Sequence, residues 1–484
     1  MMVLDPGHHR PAAPPAAPPP AGLERLLELA QRLDTRGPRY TSYPTVPVWR
    51  DLGPEALASA LGAVTQAARP VAIYVHLPFC AIRCLYCGCN SFITNSEGRI
   101  ERYARALETE VDRVANALGG AVPHSVLHLG GGTPTHLPPA LLAALLDQLL
   151  RRFPVQGGGA VDGLPPGVER SVEVDPRACT DAHLELLAAR GFRRISIGVQ
   201  DVDEAVQQAV RRIQPMSMLR DFVGRARRAG FTAVNIDLIY GLPRQTPETW
   251  RASLAAVLDL DPDRLACFGY AHLPERIAHQ RAIDADTLPG PNTRIEMLLE
   301  AQRFLCEHGY EAVGMDHFAK SDDELSRARR DGRLWRNFMG YTPHRKLELV
   351  GLGCSAISEL REVFAQNESA PEKYNEMLAA GRSPVVRGHV LDADDRYRKA
   401  LINDLMCNLE IRPDVVAAAE GLPVPDAVAR ALEGLAPFAN EGMLERTQDG
   451  WRVTSLGQLF LRNIAMPFDR YLPEQGGTNF SRTV

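Results

Sequence analysis

The sequence predicts an α/β fold, with a full or partial parallel (β/α) barrel followed by a smaller, mostly α-helical, winged-helix-like C-terminal domain. Three observations lead to this prediction. Apolar strand-like runs alternate with amphipathic helical stretches between residues 71 and 270. Polar or glycine-rich motifs follow most of those runs, at the strand ends where parallel barrels carry their chemistry. After about residue 326 the alternation stops, and helical stretches precede an Asp449-Gly450 hairpin signal.

Six apolar runs are typical of buried strands, and helical patterns separate them. The predicted strands are Val71–Val75, Val126–Leu129, Ser171–Val174, Arg194–Ile197, Ala233–Ile239 and Leu265–Tyr270. The predicted helices are Ile100–Leu118, Leu141–Phe153, Asp181–Arg190, Met216–Ala229 and Thr249–Leu258, with a Gly/Pro-rich loop at Gly157–Gly167. Further on, the sequence predicts helices near Asp394–Leu409 and Val424–Gly442, then hairpin strands Met443–Thr447 and Trp451–Thr454. Right-handed crossovers between parallel strands would curl the sheet into a barrel.

The composition fits a soluble globular protein, with 484 residues, 45% hydrophobic and 23% charged, and a formal net charge of -5. This charge gives no signal for nucleic-acid binding, and no apolar run reaches the ~18 residues of a membrane-spanning helix. The N-terminus lacks a secretory signal and the other cysteines are scattered, so we expect a cytoplasmic protein. We expect a disordered Pro/Ala-rich tail (1–21), an N-terminal arm packing over the active site (22–53), the barrel (54–325) and the helical C-terminal domain (326–484).

Four of the nine cysteines fall within ten residues, and three of them, Cys80, Cys84 and Cys87, have the spacing Cys-x3-Cys-x2-Cys. Thiolates this close favour an iron–sulfur cluster. Three ligands leave the fourth iron of a [4Fe-4S] cubane free to bind a second molecule. For the fourth cysteine, Cys89, cluster ligation, a role near the substrate and simple packing all stay open. We interpret His76 as a hydrogen-bonding wall rather than an iron ligand.

The cysteine loop resembles that of the radical S-adenosylmethionine (SAM) superfamily, and the wider sequence resembles oxygen-independent coproporphyrinogen III oxidase. The motifs that carry this resemblance stand in order along nearly the whole chain after residue 22. They are Gly37–Thr45, Tyr74–Cys80 with Cys89, Gly130–Thr135, Glu173–Arg177, Gly198–Asp201, Asp237–Pro243, Tyr270–Pro274, Gly314–Phe318 and Phe480–Arg482. Any one of these motifs is weak, whereas the ordered set is highly specific.

The resemblance implies that the three spaced cysteines hold a [4Fe-4S] cluster whose open iron binds SAM. The implied SAM contacts are Tyr74, Gly131, Gly132, Thr133, Glu173, Gln200, Arg212, Asp237 and Ala271. Their chemistry fits, because arginine suits the SAM carboxylate, Glu173 its ammonium group and Asp237 its ribose hydroxyls. In the family a second SAM adjoins the first, and Phe338 and Ile357 are its implied contacts. Tyr74 and Cys89 are the implied catalytic residues.

The implied activity is oxidative decarboxylation of coproporphyrinogen III to protoporphyrinogen IX, a step of haem biosynthesis. A SAM-derived 5′-deoxyadenosyl radical would convert two propionates to vinyl groups. The implied partners are a tetrapyrrole substrate and a reductant such as flavodoxin or ferredoxin, and the implied oligomeric state is a monomer.

Three departures from the family pattern keep other functions open. Met339 stands where the family has Gln, Gly269 stands where it has Asn, and residues 343–348 replace a Thr/Asp-rich stretch. One alternative is a radical SAM paralogue that performs methyl transfer, cyclopropanation or haem handling. The other is a haem-binding or trafficking protein without this chemistry.

Overall fold

The computed structural model describes residues 22–67, 69–120, 122–155, 164–165, 167–472, 480 and 482–483. The predicted tail 1–21 and most of the predicted loop Gly157–Gly167 lie outside the described residues. The chain divides into two compact units. The sheet unit contains Pro44–Phe304 and Lys346–Arg396, and the helical unit contains Met1–Tyr43, Leu305–Arg345 and Tyr397–Val484. These units do not coincide with the predicted boundaries at residues 53 and 325, because residues 346–396 group with the sheet.

The sheet unit is built on six parallel strands that pair in chain order, which confirms the predicted parallel α/β sheet. They are β1 (Val71–Leu77), β2 (His124–Gly131), β3 (Glu169–Val174), β4 (Arg194–Gln200), β5 (Ala233–Tyr240) and β6 (Arg264–Gly269). Most apolar side chains of these strands are buried, as expected for a sheet covered on both faces. All six extend one or more residues beyond at least one predicted bound, since the polar residues at their ends still pair.

Helices of the sheet unit connect these strands or cover the sheet. They are Pro54–Ala67, Glu97–Ala117, Pro139–Arg152, Asp181–Ala189, Glu204–Ala209, Met216–Ala229, Pro247–Leu258, Pro291–Glu307 and Pro371–Ala379, with 3-10 turns at Val46–Val48, Pro134–His136, Ala278–Ala282 and Ala285–Thr287. The helix Met216–Ala229 shows why they form: its buried residues recur every three or four positions, and Gly230 ends it in a left-handed conformation.

The sheet continues beyond β1 through strands that the sequence analysis missed. Strand β7 (Leu349–Leu352) pairs parallel to β1, and β8 (Ile357–Glu359), β9 (Val363–Asn367) and β10 (Val385–Val390) follow it antiparallel. A two-residue strand, Arg50–Asp51, pairs with the outer edge of β10. The segment that was assigned to a helical domain therefore contributes four strands to the main sheet.

The helical unit contains short helices and β-hairpins. Its helices are Leu23–Leu33, Glu324–Arg330, Ala393–Asn408, Pro413–Glu420, Asp426–Glu433, Ala436–Asn440, Ser455–Gln458 and Leu461–Ala465, with a 3-10 turn at Met466–Phe468. Its strands are Tyr310–Val313 with His317–Lys320, Trp335–Asn337 with Gly340–Thr342, and a three-stranded set of Glu410–Ile411, Leu444–Thr447 and Gly450–Val453. The predicted C-terminal hairpin is confirmed, whereas the single helix predicted over Val424–Gly442 is wrong, because it is broken into two. None of the described helices is both long and apolar enough to cross a membrane.

Candidate active site

The predicted first-SAM residues lie in the middle or at the C-terminal ends of the parallel strands, or in the segments that follow these strands. Tyr74 lies in β1, Glu173 in β3 and Asp237 in β5, while Gln200 ends β4. The remaining ones stand in the segments that follow strands β2, β4 and β6 or at the end of β2: Gly131, Gly132, Thr133, Arg212 and Ala271. Because the carboxyl ends of parallel strands meet at one edge, the fold gathers these residues from 200 positions of sequence.

The cysteine loop follows β1 and is tied to its surroundings by main-chain hydrogen bonds. Cys80 ends a two-residue strand, Phe79–Cys80, that pairs parallel with Phe92–Ile93. The Leu85 amide donates to Val210 O at 3.0 Å, which fastens the middle of the loop to the segment after β4. Cys84 is buried and the other two spaced cysteines are half-buried, so the sulfurs face a partly dry environment.

The groups around the three sulfurs fit thiolate ligands. Two arginine side chains donate to Cys84 Sγ, and the Thr133 hydroxyl lies 3.3 Å from Cys80 Sγ. Burial raises the pKa of Cys80 to about 11, and the Thr133 contact partly offsets this effect. The hydrogen bond from the Cys89 thiol is the largest cause of the lowered pKa of Cys87, and it outweighs burial. Hydrogen bonds of this kind to coordinating sulfurs are usual around iron–sulfur clusters.

Among the described residues, no three His, Cys, Asp or Glu side chains converge on a point where they could hold a single metal ion. A cubane does not require such convergence, because each of its cysteines binds a different iron. Three thiol side chains on one loop are the donor type that iron–sulfur clusters use.

Tyr74 and His76 form a relay on one face of β1. His76 Nε2 lies 2.9 Å from Asn90 O, which can only accept, so this nitrogen carries the proton. Burial lowers the pKa of His76, so the ring is neutral and its Nδ1 accepts from Tyr74 Oη at 3.0 Å. His76 thus orients the tyrosine, in line with its interpretation as a hydrogen-bonding wall.

Glu173 is held by two partners on the neighbouring strand β2. Its Oε1 lies 3.3 Å from His128 Nε2, and its Oε2 accepts from the Gly131 amide at 3.1 Å. His128 Nδ1 is in turn 2.8 Å from Ser171 Oγ. Burial tends to raise the pKa of Glu173, but the bonds from His128 and Gly131 outweigh it and lower the pKa. The carboxylate is therefore charged and placed where a cationic amine could bind.

The glycines after β2 allow the main chain to fold back against the cysteine loop. Gly131 has φ +118°, and a Cβ on Gly132 would lie 2.7 Å from both Pro78 C and Pro78 O. The Gly132 amide donates to Leu77 O at 2.9 Å, and the Thr133 amide donates to Phe79 O at 3.0 Å. This close approach holds the glycine segment against the strand that carries Cys80.

Within the motif Glu173–Arg177 a role was expected for Glu173 alone, yet Asp175 and Arg177 lie at the centre of a network. Arg177 Nη2 and Arg212 Nη1 donate to Asp175 Oδ2 at 2.6 and 3.0 Å. The same two nitrogens lie 3.7 and 3.4 Å from Cys84 Sγ. Burial tends to raise the pKa of Asp175, but the two arginines outweigh it and lower the pKa. Arg212, expected to meet a SAM carboxylate, therefore already pairs with a carboxylate of the protein.

Asp237 and Ala271 have partners of their own. Asp237 accepts from Asn235 Nδ2 at 2.8 Å and from Ser196 Oγ at 3.1 Å. Ala271 O accepts from Gln280 Nε2 at 3.2 Å, and that amide also donates to Tyr86 O at 3.1 Å.

The remaining predicted residues lie further along the chain or at the loop surface. Phe338 and Met339 form the turn of a hairpin in the helical unit, whereas Ile357 begins β8 in the sheet unit. Cys89 is exposed, and its thiol bonds to the Cys87 sulfur. At Gly269 a Cβ would lie 2.9 Å from Tyr240 Oη, so this tyrosine fills the space where the family carries Asn.

Comparison with known proteins places these features in a class. The model of the radical SAM superfamily matches residues 74–257, and that of the HemN C-terminal domain matches residues 391–460. The chain is 41% identical to the oxygen-independent coproporphyrinogen III oxidase of Pseudomonas aeruginosa, over 94% of this chain and 98% of that protein. The corresponding Escherichia coli protein is 40% identical, over 95% and 98% respectively. A solved structure of coproporphyrinogen III oxidase (HemN) from Escherichia coli, described as a radical SAM enzyme, superposes with a TM-score of 0.84. It covers 90% of this chain and 98% of that one.

The parallel sheet and the cysteine loop at its edge define a radical SAM enzyme, which uses a [4Fe-4S] cluster, SAM and an external reductant. Within that class, the chain belongs to the family of oxygen-independent coproporphyrinogen III oxidases.

Proposed function

We propose that this chain converts coproporphyrinogen III to protoporphyrinogen IX without oxygen, in haem biosynthesis. The observation that carries the proposal is the identity of about 40% to members of this family over nearly the full length of both chains. The ordered set of polar residues at the strand ends supports it, since fold alone would say little about substrate.

When bound, the cluster would supply the single-electron chemistry that cleaves SAM and leads to removal of hydrogen from a propionate side chain. The residues of the chain bind and orient these groups. Cys80, Cys84 and Cys87 are proposed to hold the cluster, and Glu173 to bind the amino group of SAM. The neutral Tyr74–His76 pair would form the wall beside it, and its burial excludes water from the radical chemistry.

The test is an anaerobic assay of the reconstituted, reduced protein with SAM and coproporphyrinogen III, in which 5′-deoxyadenosine and tetrapyrroles are quantified together. Vinyl products in step with deoxyadenosine support the proposal, and Cys84→Ala serves as the cluster-free control. Deoxyadenosine without vinyl products would contradict it and favour a paralogue that acts on another substrate, as the Gly269 and Met339 departures would allow. Bound haem without deoxyadenosine would favour the haem-binding alternative.

We further propose that two SAM molecules bind per chain, the second contacting Phe338 and Ile357, with Tyr74 and Cys89 close to the reaction. Equilibrium dialysis with labelled SAM should then give two equivalents for the cluster-loaded protein. Phe338→Ala and Ile357→Ala should each lower this number towards one, whereas one equivalent in the unaltered protein would refute the second site. The proposed reductant is flavodoxin or ferredoxin, and the proposed oligomeric state is a monomer in the cytoplasm.

A further inference from the structure

Cys84 differs from the other two spaced cysteines because positively charged side chains donate hydrogen bonds to its sulfur. Cys84 is 8% exposed, and two guanidinium groups approach its sulfur at 3.4 and 3.7 Å. Near Cys80 and Cys87 the described sulfur hydrogen bonds involve neutral groups instead. Thr133 lies 3.3 Å from Cys80 Sγ, and Ser91 at 3.9 Å and the Cys89 thiol bond to Cys87, on which Arg83 acts through its charge without a described hydrogen bond to the sulfur.

Asp175 fixes the position of Arg177. Arg177 Nε lies 2.9 Å from Asp175 Oδ1 and its Nη2 lies 2.6 Å from Oδ2, which is the two-point geometry of a strong arginine–carboxylate pair. Asp175 is fixed in turn by Gln214 Nε2 at 3.2 Å and by its half-buried position. The guanidinium plane is therefore held with one nitrogen directed at both the carboxylate and the sulfur.

Arg177 and Arg212 differ in their other hydrogen-bond partners. Arg212 Nε donates to Gly198 O at 3.1 Å, and by family resemblance this side chain also meets SAM. Arg177 has no described hydrogen bond apart from those to Asp175 and Cys84. Its side chain is suited to act on the cysteine sulfur rather than on the bound cofactor.

We propose that Arg177 is a positioning residue for the iron–sulfur centre, whose guanidinium, held by Asp175, donates to the Cys84 sulfur and raises the reduction potential of the cluster. Reduction adds one negative charge to the cluster, and a nearby cation with an N–H donor stabilises the reduced form more than the oxidised form. The electron comes from any low-potential one-electron donor, and no other atom changes place. The proposal rests on membership of the family and its cluster, not on the identity of the substrate.

The test is an anaerobic redox titration of the cluster, followed by electron paramagnetic resonance, without SAM or substrate. In Arg177→Gln the ratio of reduced to oxidised cluster at the wild-type midpoint should fall roughly three- to tenfold, where tenfold corresponds to about 59 mV for one electron. Arg177→Lys keeps the charge but loses the two-point pairing with Asp175, so its midpoint potential should shift in the same direction by a smaller amount. Arg190→Gln is the matched control, because Arg190 makes a similar pair with Asp147 on the surface and contacts no cysteine.

Iron and sulfide contents are measured for every variant, so that only loaded protein is compared. An Arg177→Gln midpoint equal to that of wild type and Arg190→Gln would overturn the proposal. If Arg177→Gln does not take up the cluster, Arg177→Lys becomes the test. A midpoint potential of Arg177→Lys that equals that of wild type or is more positive would then overturn the proposal. Because coproporphyrinogen III is absent, failure here is distinct from failure of the proposed reaction.

Discussion

Replacing Glu110 by glutamine should remove a pH dependence of folding stability of about 3 kcal/mol. Glu110 is 2% exposed on the helix Glu97–Ala117. Its carboxylate accepts from the Gly353 amide and Asn367 Nδ2, each at 2.6 Å, and from Tyr374 Oη at 2.5 Å. Burial nevertheless raises its pKa from 4.5 to about 7, because the three donors offset only part of the lost hydration. A pKa difference of about 2.5 corresponds to roughly 3 kcal/mol.

The sign follows from where the proton is bound. Below about pH 4.5 the group is protonated in both states, and between about 4.5 and 7 only the unfolded chain is ionised. Stability from this group is therefore complete at low pH, is lost as the pH rises to about 7, and is constant above that value. Glutamine cannot ionise, so residue 110 of the variant contributes no loss of folding stability as the pH rises.

The assay is urea unfolding of wild type and Glu110→Gln at several pH values from 5 to 8, with tryptophan fluorescence as the signal. The free energy of unfolding of wild type minus that of the variant should fall with pH up to about 7 and then level off. Glu101→Gln is the control, because that side chain on the same helix is 47% exposed. A wild-type-minus-variant difference that stays constant from pH 5 to 8 would refute the reasoning.

Three further predictions concern the cysteine loop and the residues that contact it. Cys84→Ala should abolish cluster loading, whereas Cys89→Ala should retain it, and the iron and sulfide contents of the two variants measure this. Loss of iron in Cys89→Ala would show that Cys89 is a cluster ligand. Gly132→Ala should lower the free energy of unfolding by about 1–3 kcal/mol and weaken SAM binding, because the added methyl group would lie 2.7 Å from the Pro78 main chain. A urea unfolding midpoint equal to that of wild type would contradict this prediction. His76→Phe should lower the free energy of unfolding by about 1–3 kcal/mol, because the polar groups that now bond to the His76 ring would be left unpaired. Thermal unfolding of wild type and variant measures this change. Equal transition temperatures would contradict a stabilising role for these hydrogen bonds.

The parallel strands, and the positions of the predicted SAM contacts relative to them, could be predicted because both depend on short stretches of sequence. Fully buried strands are continuous apolar runs, and the motifs follow those runs directly. Period-two alternation carries a further signal, because residues two apart on a strand share a face. Asn235 donates to Asp237, and Ser171 and Glu173 both bond to the ring of His128.

The strands beyond β1 were not predictable in the same way. β8 has three residues and β7 four, and β7 joins them to the sheet by pairing with β1, far earlier in the chain. Short strands of this kind are stabilised by pairing with distant neighbours rather than by their own pattern. The double contact of Arg177 with Asp175 and Cys84 was hidden for the same reason, since 93 residues separate the arginine from the sulfur.

The cysteine loop is closed by a segment that comes nearly two hundred residues later. His279 Nε2 lies 2.7 Å from Cys87 O, and Gln280, 1% exposed, donates to Tyr86 O at 3.1 Å. A growing chain that has passed Cys87 thus holds all three cysteines but lacks two bonds that shape the loop. During synthesis the three cysteines are therefore present long before the loop that carries them can take its final shape, which requires residue 280.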